Sequence, residues 1–335
     1  MASIPAAFHS AARGDEPTRL AVGPLKLDVS TSRTATLFHV VDQISAWSQF
    51  CHGQYRRQMA ELSEEDLAIL AKHTDIRRRR GWGGGLEQTF YTTLGVDAAI
   101  EAGVAAGHLT PDEGRMEREV LTHFAERIDA LIARERKHVD AFRARLADEL
   151  PHLTKLAERL QAFFGTTPPP LPVFLIVNPD DADFGGGFNG HRLTLEVPRT
   201  ADAYPTFVHE ILHAFVDTRR AEVERAIAGV AGLDYQTMNE GIAHALAPGI
   251  VRPSGSDDAL LDRVAMHLQR GQHFDQTFAR FNQFGLALRP VLQDALDDPL
   301  SRLDTFLPRA VDVWRAVREL DAAVRRGAEG RGAAE

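Results

Sequence analysis

Apolar residues recur at helical spacing through most of the first half of the chain. Between Ser32 and Phe50 they occupy positions 37, 40, 41, 44 and 47, which predicts a helix with one buried face. A second helix should begin at Ser63, because Asp66 follows this capping serine by three residues. The alternating stretch Leu25–Val29 is compatible with a short strand. The first half of the chain is therefore predicted to be mainly helical.

The clearest helix start lies at Thr110 and Pro111, where a capping residue precedes a proline and then two acidic residues. This helix is predicted to run to about Ala147. Another helix is predicted over residues 151–164. The proline-rich segment 165–172 that follows fits neither a helix nor a central strand, so it marks a boundary.

This boundary divides the chain into regions of different character. Residues 1–24 combine small residues, charges and prolines, and are predicted to form a flexible N-terminal segment. Residues 25–165 are expected to form a helical N-terminal region. Residues 173–335 are expected to combine a few strands with further helices. The predicted fold class is therefore α+β, mostly α-helical.

The apolar pattern changes after the proline-rich segment. Val173–Val177 is a compact run rich in β-branched residues, which predicts a strand, and a polar, glycine-rich loop follows at residues 180–190. His191–Val197 alternates between apolar and polar residues and stops at a proline, which predicts a half-exposed or edge strand. A helix should follow from about Tyr204, and helical spacing prevails in the C-terminal part.

The helix after these strands carries the sequence His-Glu-x-x-His within the apolar segment Phe207–Val216. Because a helix turns once in about 3.6 residues, His209 and His213 lie on the same face. Two imidazoles so placed can bind one zinc ion (Zn2+), each at roughly 2.0–2.1 Å. Glu210 is adjacent on the helix and can activate a water without binding the metal itself. The segment therefore indicates a metal hydrolase.

A second motif, Asn-Glu-Gly-Ile-Ala at residues 239–243, follows after a gap that accommodates a connection and a returning helix. Together the two motifs resemble those of the gluzincin metallopeptidases, the group of thermolysin and the zinc aminopeptidases. The resemblance covers roughly residues 173–250 and implies a zincin-like region with a small sheet, in which Glu240 is the third zinc ligand. It also implies hydrolysis of peptide bonds in a peptide or protein substrate by metal-activated water, with Glu210 as the general base.

The sequence departs from the gluzincin pattern in two places. Thermolysin-like members carry an aspartate one turn after the third ligand, where it steadies a zinc histidine, and this chain has His244 there. His244 lies on the same helix face as Glu240, so it should point toward the metal and accept a hydrogen bond from a zinc histidine. The alternative is a core histidine bonded to the backbone. The Gly-x-Met-Glu-Asn motif of zinc aminopeptidases is missing, so exopeptidase specificity does not carry over.

Peptide hydrolysis also needs a hydrogen-bond donor for the carbonyl oxygen that becomes an oxyanion. Tyr235, His267, His273 and Tyr204 are candidates by residue type, and a structural role is the alternative for each of them. In the zincin layout an edge strand pairs with the extended substrate backbone. The resemblance therefore implies that His191–Val197 takes this part.

Composition and charge narrow the range of partners. The chain has 335 residues and a net charge of −9, which argues against nucleic acid as the main partner. The single cysteine, Cys51, excludes an internal disulfide. No apolar run reaches about 18 residues and no secretory signal is visible, so we expect no membrane contact and, by default, a cytoplasmic location. The basic run Arg77–Arg80 is interpreted as a solvated helix end rather than a nucleic-acid site.

Two other interpretations stay open. Glu210 with His213, and Glu135 with His138, would supply the two Glu-x-x-His pairs of a di-iron carboxylate bundle. The second pair lies in a highly charged stretch that is expected to face water. Alternatively, the chain is a helical interaction protein that binds zinc without turnover. The intact Glu210 favours an enzyme, because a structural zinc site has no use for a general base.

Overall fold

Two compact units make up the chain. The structure is a computed structural model that describes residues 17–59, 61–83, 85–179 and 183–332. The first unit consists of Met1–Leu153 and Pro169–Ala203, and the second of Thr154–Pro168 and Tyr204–Glu335. Helices dominate and a small mixed sheet accompanies them, so the predicted α+β class is confirmed. Across the described ranges, no helix is both long and apolar enough to cross a membrane.

The sheet lies in the first unit. Its described strands are β1 Thr18–Val22, β2 Leu25–Ser30, β3 Leu171–Val177, β4 Gly186–Asn189 and β5 Arg192–Val197. The strand order is β1-β2-β3-β5-β4. β2, β3 and β5 are parallel, with Val173 opposite Val29 on one side and Leu193 on the other. β1 and β4 are antiparallel to their neighbours.

The predicted flexible segment, residues 1–24, needs a correction. Up to residue 16 it lies outside the described residues, but Thr18–Val22 forms β1. The strand exists because Gly23, with a φ of +57°, and Pro24 form a tight turn that leads directly into β2. The alternating strand predicted at residues 25–29 is confirmed as β2.

The helices described in the first unit are α1 Arg33–Ser45, α2 Gln54–Gln58, α3 Glu64–Arg80, α4 Leu86–Phe90, α5 Val96–Ala105 and most of α6 Pro111–Phe164. Two predicted helix starts are confirmed by reciprocal capping. The Asp66 N–H donates to Ser63 Oγ at 3.1 Å, and the Ser63 N–H donates to the Asp66 carboxylate at 2.9 Å. Thr110 and Glu113 make the same pair of bonds at the start of α6, at 2.9 and 3.2 Å.

The predicted break between residues 147 and 151 is wrong, because α6 is one helix with Pro151 inside it. A proline in a helix interior removes one backbone hydrogen bond and costs roughly 3 kcal/mol. The apolar stripe of α6 nevertheless continues across the proline, since Leu146 and Leu153 are both buried. Burial on both sides offsets the local cost, and the helix continues to Phe164.

The expectation that His191–Val197 is a half-exposed or edge strand is also wrong. β5 pairs with β3 on one side and with β4 on the other, and its residues from Leu193 to Val197 are buried. The second partner comes from the glycine-rich stretch that was predicted to be a loop, of which residues 180–182 lie outside the described residues. Because its backbone groups are already paired, β5 cannot pair with a substrate as proposed from the resemblance.

The basic run at the end of α3 is only partly a solvated end. Arg78 and Arg79 are exposed, but Arg77 is fully buried. Arg77 Nε lies 2.7 Å from Asp42 Oδ1, and its Nη1 lies 2.7 Å from Glu87 Oε1. The prediction fails at Arg77 because two carboxylates from distant segments neutralise its charge inside the first unit.

The regular elements described in the second unit are all helices. Besides the end of α6 it contains α7 Tyr204–Asp217, α8 Arg220–Ile227, α9 Tyr235–His244, a π-helical turn Ala245–Ile250, α10 Ala259–Gln269, α11 Thr277–Asp297 and α12 Leu303–Gly332. Among the strands at residues 171–197, β3 pairs with β2, β5 pairs with β3 and β4 pairs with β5, so all three belong to the first unit. One division between the two units, at residues 168 and 169, lies within the proline-rich segment, and others follow Leu153 and Ala203.

Candidate metal centre

Helix α7 holds the two histidines of the first motif. Its apolar residues are buried on almost every side, which keeps this short helix within the core of the second unit. The rings of His209 and His213 lie on one face with their centroids 4.7 Å apart. Glu210, one position further round the helix, is also buried. The helix begins at Tyr204, where the sequence predicted it.

Helix α9 brings the second motif to these histidines. It begins at Asp234, whose side chain accepts a hydrogen bond from the Thr237 N–H at 2.7 Å. Glu240 Oε2 then lies 3.4 Å from His209 Nε2 and 3.8 Å from His213 Nε2. The potential ligand atoms of these three residues all lie within 4.8 Å of one another.

The glycine after Glu240 determines how closely α9 packs on α11. A Cβ added to Gly241 would lie 2.3 Å from Phe284 Cδ1 on α11. A Cβ added to Gly285 on α11 would lie 2.6 Å from His244 Cβ on α9. Each glycine therefore lets a side chain of the facing helix lie against its backbone. This close approach fixes the position of the helix that carries Glu240.

The distances from Glu240 to the two histidines are compatible with a metal ion. Ligand atoms around a tetrahedral zinc with bonds of about 2.0–2.2 Å are about 3.3–3.6 Å apart. The observed separations of 3.4 and 3.8 Å from Glu240 Oε2 are close to this range. The donor set of two imidazoles and one carboxylate is also one that zinc accepts.

The outer nitrogens of the two histidines are both held by acceptors. His209 Nδ1 lies 2.9 Å from the Ala247 carbonyl oxygen, and His213 Nδ1 lies 2.9 Å from Asn239 Oδ1. A carbonyl oxygen can only accept, so each Nδ1 carries a proton, and in the neutral ring each Nε2 then presents a lone pair toward Glu240. Histidines that ligate metals are usually oriented in this way.

A break in the helical backbone makes the Ala247 carbonyl available. Ala247 has φ −143° and ψ 119°, well outside the helical region, in the turn that follows α9. The next residue, Pro248, has no N–H and disturbs the helical hydrogen-bond pattern. The Ala247 carbonyl therefore does not point along the helix axis, and its oxygen accepts a hydrogen bond from His209 Nδ1.

The two carboxylates of the site differ in their electrostatics. Burial is the largest influence on the Glu240 carboxyl and raises its pKa, but His213 and His209 outweigh it and lower the pKa to about 2. Burial raises the pKa of Glu210 to about 8, with a further increase from the Glu240 charge and a decrease from His213. The Glu240 carboxyl is therefore ionised at neutral pH and available to a metal ion, whereas the raised pKa of Glu210 lies near neutral pH.

His244 lies beside this cluster, but not in the way the sequence suggested. Its Nε2 is 3.9 Å from Glu240 Oε2, and its ring centroid is 4.7 Å from that of His209. It does not accept from a zinc histidine, because those N–H groups bond to Ala247 and Asn239. Nor is it bonded to the backbone, since its buried Nδ1 has no hydrogen-bond partner among the described residues.

The other predicted oxyanion donors have separate surroundings. The Tyr235 hydroxyl lies 3.4 Å from Asp217 Oδ1. His267 is buried, and its Nδ1 lies 2.6 Å from Gln272 Oε1. His273 is exposed. The contacts of Tyr235 and His267 do not include His209, His213 or Glu240, and the role of these candidates as oxyanion donors stays a prediction.

The second Glu-x-x-His pair differs from its prediction too. Glu135 does not face water, because it is almost fully buried. Arg199 Nη2 and Arg134 Nε each lie 2.6 Å from Glu135 Oε1. Hydrogen bonding with Arg199 is the main cause that lowers the pKa of Glu135 to about 2. The Glu135 carboxylate thus forms ion pairs with two arginines of the first unit. This pairing disfavours its use as a ligand of a di-iron site.

Two groups at the centre were missed in the sequence. Asn239 belongs to the second motif and directly precedes Glu240. Because a metal-binding histidine usually donates its outer N–H to an acceptor, the amide oxygen of Asn239 was a possible partner. The Ala247 carbonyl is a backbone group, so its only sequence signal is the Ala-Pro step that ends the regular helix. Both act through the orientation of a histidine rather than through contact with the metal.

Comparisons with known proteins add no relative to this picture. No protein-family model matches the chain, and no curated protein or solved structure matches it significantly. The resemblance to gluzincins accordingly consists of the two sequence motifs, at residues 209–213 and 239–243.

Proposed function

We propose that this protein is a zinc-dependent metallopeptidase. The observation that carries the proposal is the convergence of His209 Nε2 and His213 Nε2 on Glu240 Oε2, with both outer ring nitrogens bonded to acceptors. Four independent contacts thus present two lone pairs and one carboxylate to a common point. Three protein ligands, rather than four, are typical of a catalytic zinc site that leaves one position for a reactant.

The chemistry of the proposed reaction divides between the ion and the protein. When bound, zinc would act as a Lewis acid that polarises a carbonyl group and promotes the ionisation of water. Glu210 takes the proton from the water that attacks the carbonyl carbon, and it delivers a proton to the leaving amine. Its position next to His209 on α7, buried and without a role as ligand, supports this assignment.

Metal analysis combined with digestion of a peptide library tests the proposal. The protein purified without chelator should contain about one zinc per chain. Glu210→Gln should keep its zinc, while its peptidase rate falls by roughly 100-fold or more, the usual scale for loss of a general base. Glu224→Gln is the matched control. Because Glu224 is an exposed residue of α8, this variant should cleave peptides at the wild-type rate.

Two results would overturn the proposal. The activity is absent if the zinc-loaded wild type cleaves no peptide of the library. Glu210 has no part in the reaction if Glu210→Gln cleaves as fast as Glu224→Gln. Full zinc occupancy in Glu240→Ala would separately show that the third ligand is another residue.

A further inference from the structure

The metal centre contains a third imidazole that the proposed ligand set does not use. His244 follows Glu240 by one helical turn, so both side chains lie on the same face of α9. Its ring packs edge-on against the ring of His209, with the centroids 4.7 Å apart and the planes at 64°. Its Nε2 lies 3.9 Å from Glu240 Oε2, the same oxygen on which the other two histidines converge.

The surroundings of the His244 ring determine which nitrogen carries the proton. Nδ1 is buried and has no hydrogen-bond partner among the described residues. A proton there would be an unsatisfied buried donor, which costs about 1–3 kcal/mol. Nε2 instead faces the carboxylate of Glu240, which attracts an N–H and repels a lone pair. The neutral ring therefore carries its proton on Nε2.

This tautomer is the opposite of the one in the two zinc histidines. His209 and His213 hold their protons on Nδ1, because acceptors lie 2.9 Å away on that side. Toward Glu240 the three rings thus present two lone pairs and one N–H. A cation binds the lone pairs, whereas the N–H of His244 suits an oxygen atom that gains negative charge.

The backbone around His244 keeps the ring in this position. Gly285 of α11 lies directly against it, and a Cβ at that residue would approach His244 Cβ to 2.6 Å. The side chain is also almost completely buried. A donor that is held rigidly and shielded from water stabilises a developing charge more strongly than a mobile, solvated one.

We propose that His244 donates a hydrogen bond from Nε2 to the carbonyl oxygen of the peptide bond that is cleaved. The inference rests on the proposed peptidase function and assigns the oxyanion-stabilising residue of that reaction. His244 is not a fourth ligand, because ligating histidines usually donate their other N–H to an acceptor and its Nδ1 lacks one. The site therefore keeps an open position beside three ligands.

The tautomer can be measured directly by NMR on the protein labelled with 15N-histidine, both as purified and loaded with zinc. The signal of His244 is identified by its loss in His244→Leu. In both forms Nε2 should resonate as a protonated ring nitrogen and Nδ1 as an unprotonated one. A proton on Nδ1, or a zinc-induced shift that marks Nε2 as a ligand, would overturn the proposal whether or not the protein cleaves peptides.

Two variants then test the role in the reaction. His244→Leu removes the donor, whereas His244→Gln retains an N–H near the position of Nε2. Removing one oxyanion donor typically lowers kcat by about 100- to 1,000-fold, so His244→Leu should lose that much and His244→Gln should lose clearly less. Zinc affinity, measured by chelator competition, should match the wild type in both variants. His152→Gln, at an exposed histidine, is the control that should change neither quantity.

Binding of the phosphinic analogue of Ala-Ala separates this inference from the proposed function. Its tetrahedral oxyanion should bind the zinc-loaded wild type more tightly than His244→Leu, with His244→Gln in between. If this order holds but no peptide is cleaved, the donor assignment stands and the peptidase proposal fails. If peptides are cleaved equally by wild type and His244→Leu, the peptidase proposal stands and the donor assignment fails. A tenfold loss of zinc affinity in His244→Leu would also refute it by marking His244 as a ligand.

Discussion

Replacing Asn239 by Leu should weaken zinc binding although Asn239 does not contact the metal position. The substitution removes the acceptor that lies 2.9 Å from His213 Nδ1. The side chain of His213 is only 8% exposed, so water cannot readily replace the lost acceptor. An unsatisfied buried N–H costs about 1–3 kcal/mol, and the ring can avoid this cost by moving its proton to Nε2. Either response removes part of the lone-pair donation that zinc needs.

The expected loss is about 10- to 100-fold in zinc affinity, the usual effect of removing such an outer partner. This range corresponds to about 1.4–2.8 kcal/mol and so agrees with the cost of the orphaned N–H. Asn239→Asp should act in the other direction. Its carboxylate accepts a charge-assisted bond from His213 and makes the imidazole a stronger ligand, so zinc should bind at least as tightly as in the wild type.

Competition with a chromophoric chelator at pH 7 measures these zinc affinities. Asn282→Leu is a matched control, because Asn282 is a buried asparagine of the same unit whose Nδ2 lies 3.4 Å from His267 Nε2. This control should lower the free energy of unfolding without changing zinc affinity. If Asn239→Leu and Asn282→Leu bind zinc equally well, Asn239 does not orient His213 and the reasoning is refuted.

Three further predictions concern packing and titration. Gly241→Ala should lower the free energy of unfolding by about 1–3 kcal/mol in urea titrations, because its Cβ would lie 2.3 Å from Phe284. Adding Phe284→Ala should reduce the cost of the added methyl group. Gly95→Ala is the control, because a Cβ at Gly95 would have no atom within 4 Å. Burial, the largest influence, lowers the pKa of His73, but two buried carboxylates outweigh it and raise the pKa to about 9. Folded His73 thus retains a proton that the unfolded chain loses above about pH 6.5. The free energy of unfolding should therefore fall as the pH rises from there through 9, and it should fall less in the His73→Gln variant. Burial raises the pKa of Glu210 to about 8, so this residue destabilises the folded protein increasingly as the pH rises above about 4.3, where the unfolded chain ionises. Without metal, the Glu210→Gln variant should therefore be at least as stable at pH 7 as the wild type.

Local signals in the sequence were sufficient for the two helices of the metal centre. The start of α7 at Tyr204 and the helical spacing of His209 and His213 follow from an uninterrupted apolar segment. The placement of Glu240 came instead from the resemblance of the second motif, and the structure brings its carboxylate to both histidines. The outer acceptors were not anticipated, because one is a backbone carbonyl and the other a side chain without a charge.

Predictions failed where distant segments decide the outcome. β5 was predicted to be an edge strand because its alternation with polar residues suggested one exposed face. Its second neighbour, β4, consists of Gly-Gly-Phe-Asn and has no strand pattern of its own. Arg77 was predicted to be solvated because cations at a helix C-terminus complement the helix dipole, whereas in the fold it pairs with Asp42 and Glu87. A single sequence shows periodicity, but it does not show which distant residue supplies a partner.

The burial of Glu210 bears on whether the proposed metal centre catalyses a reaction or only binds metal. His209, His213 and Glu240 already supply the ligands, so metal binding alone does not require a carboxyl group at Glu210. Glu210 is 5% exposed, and burial raises its pKa to about 8. The ionised form of Glu210 therefore destabilises the folded protein. An amide or apolar side chain would avoid this cost. A buried acid that titrates near neutral pH beside three ligands is instead suited to accept and release a proton, which favours the hydrolase over the silent zinc-binding protein.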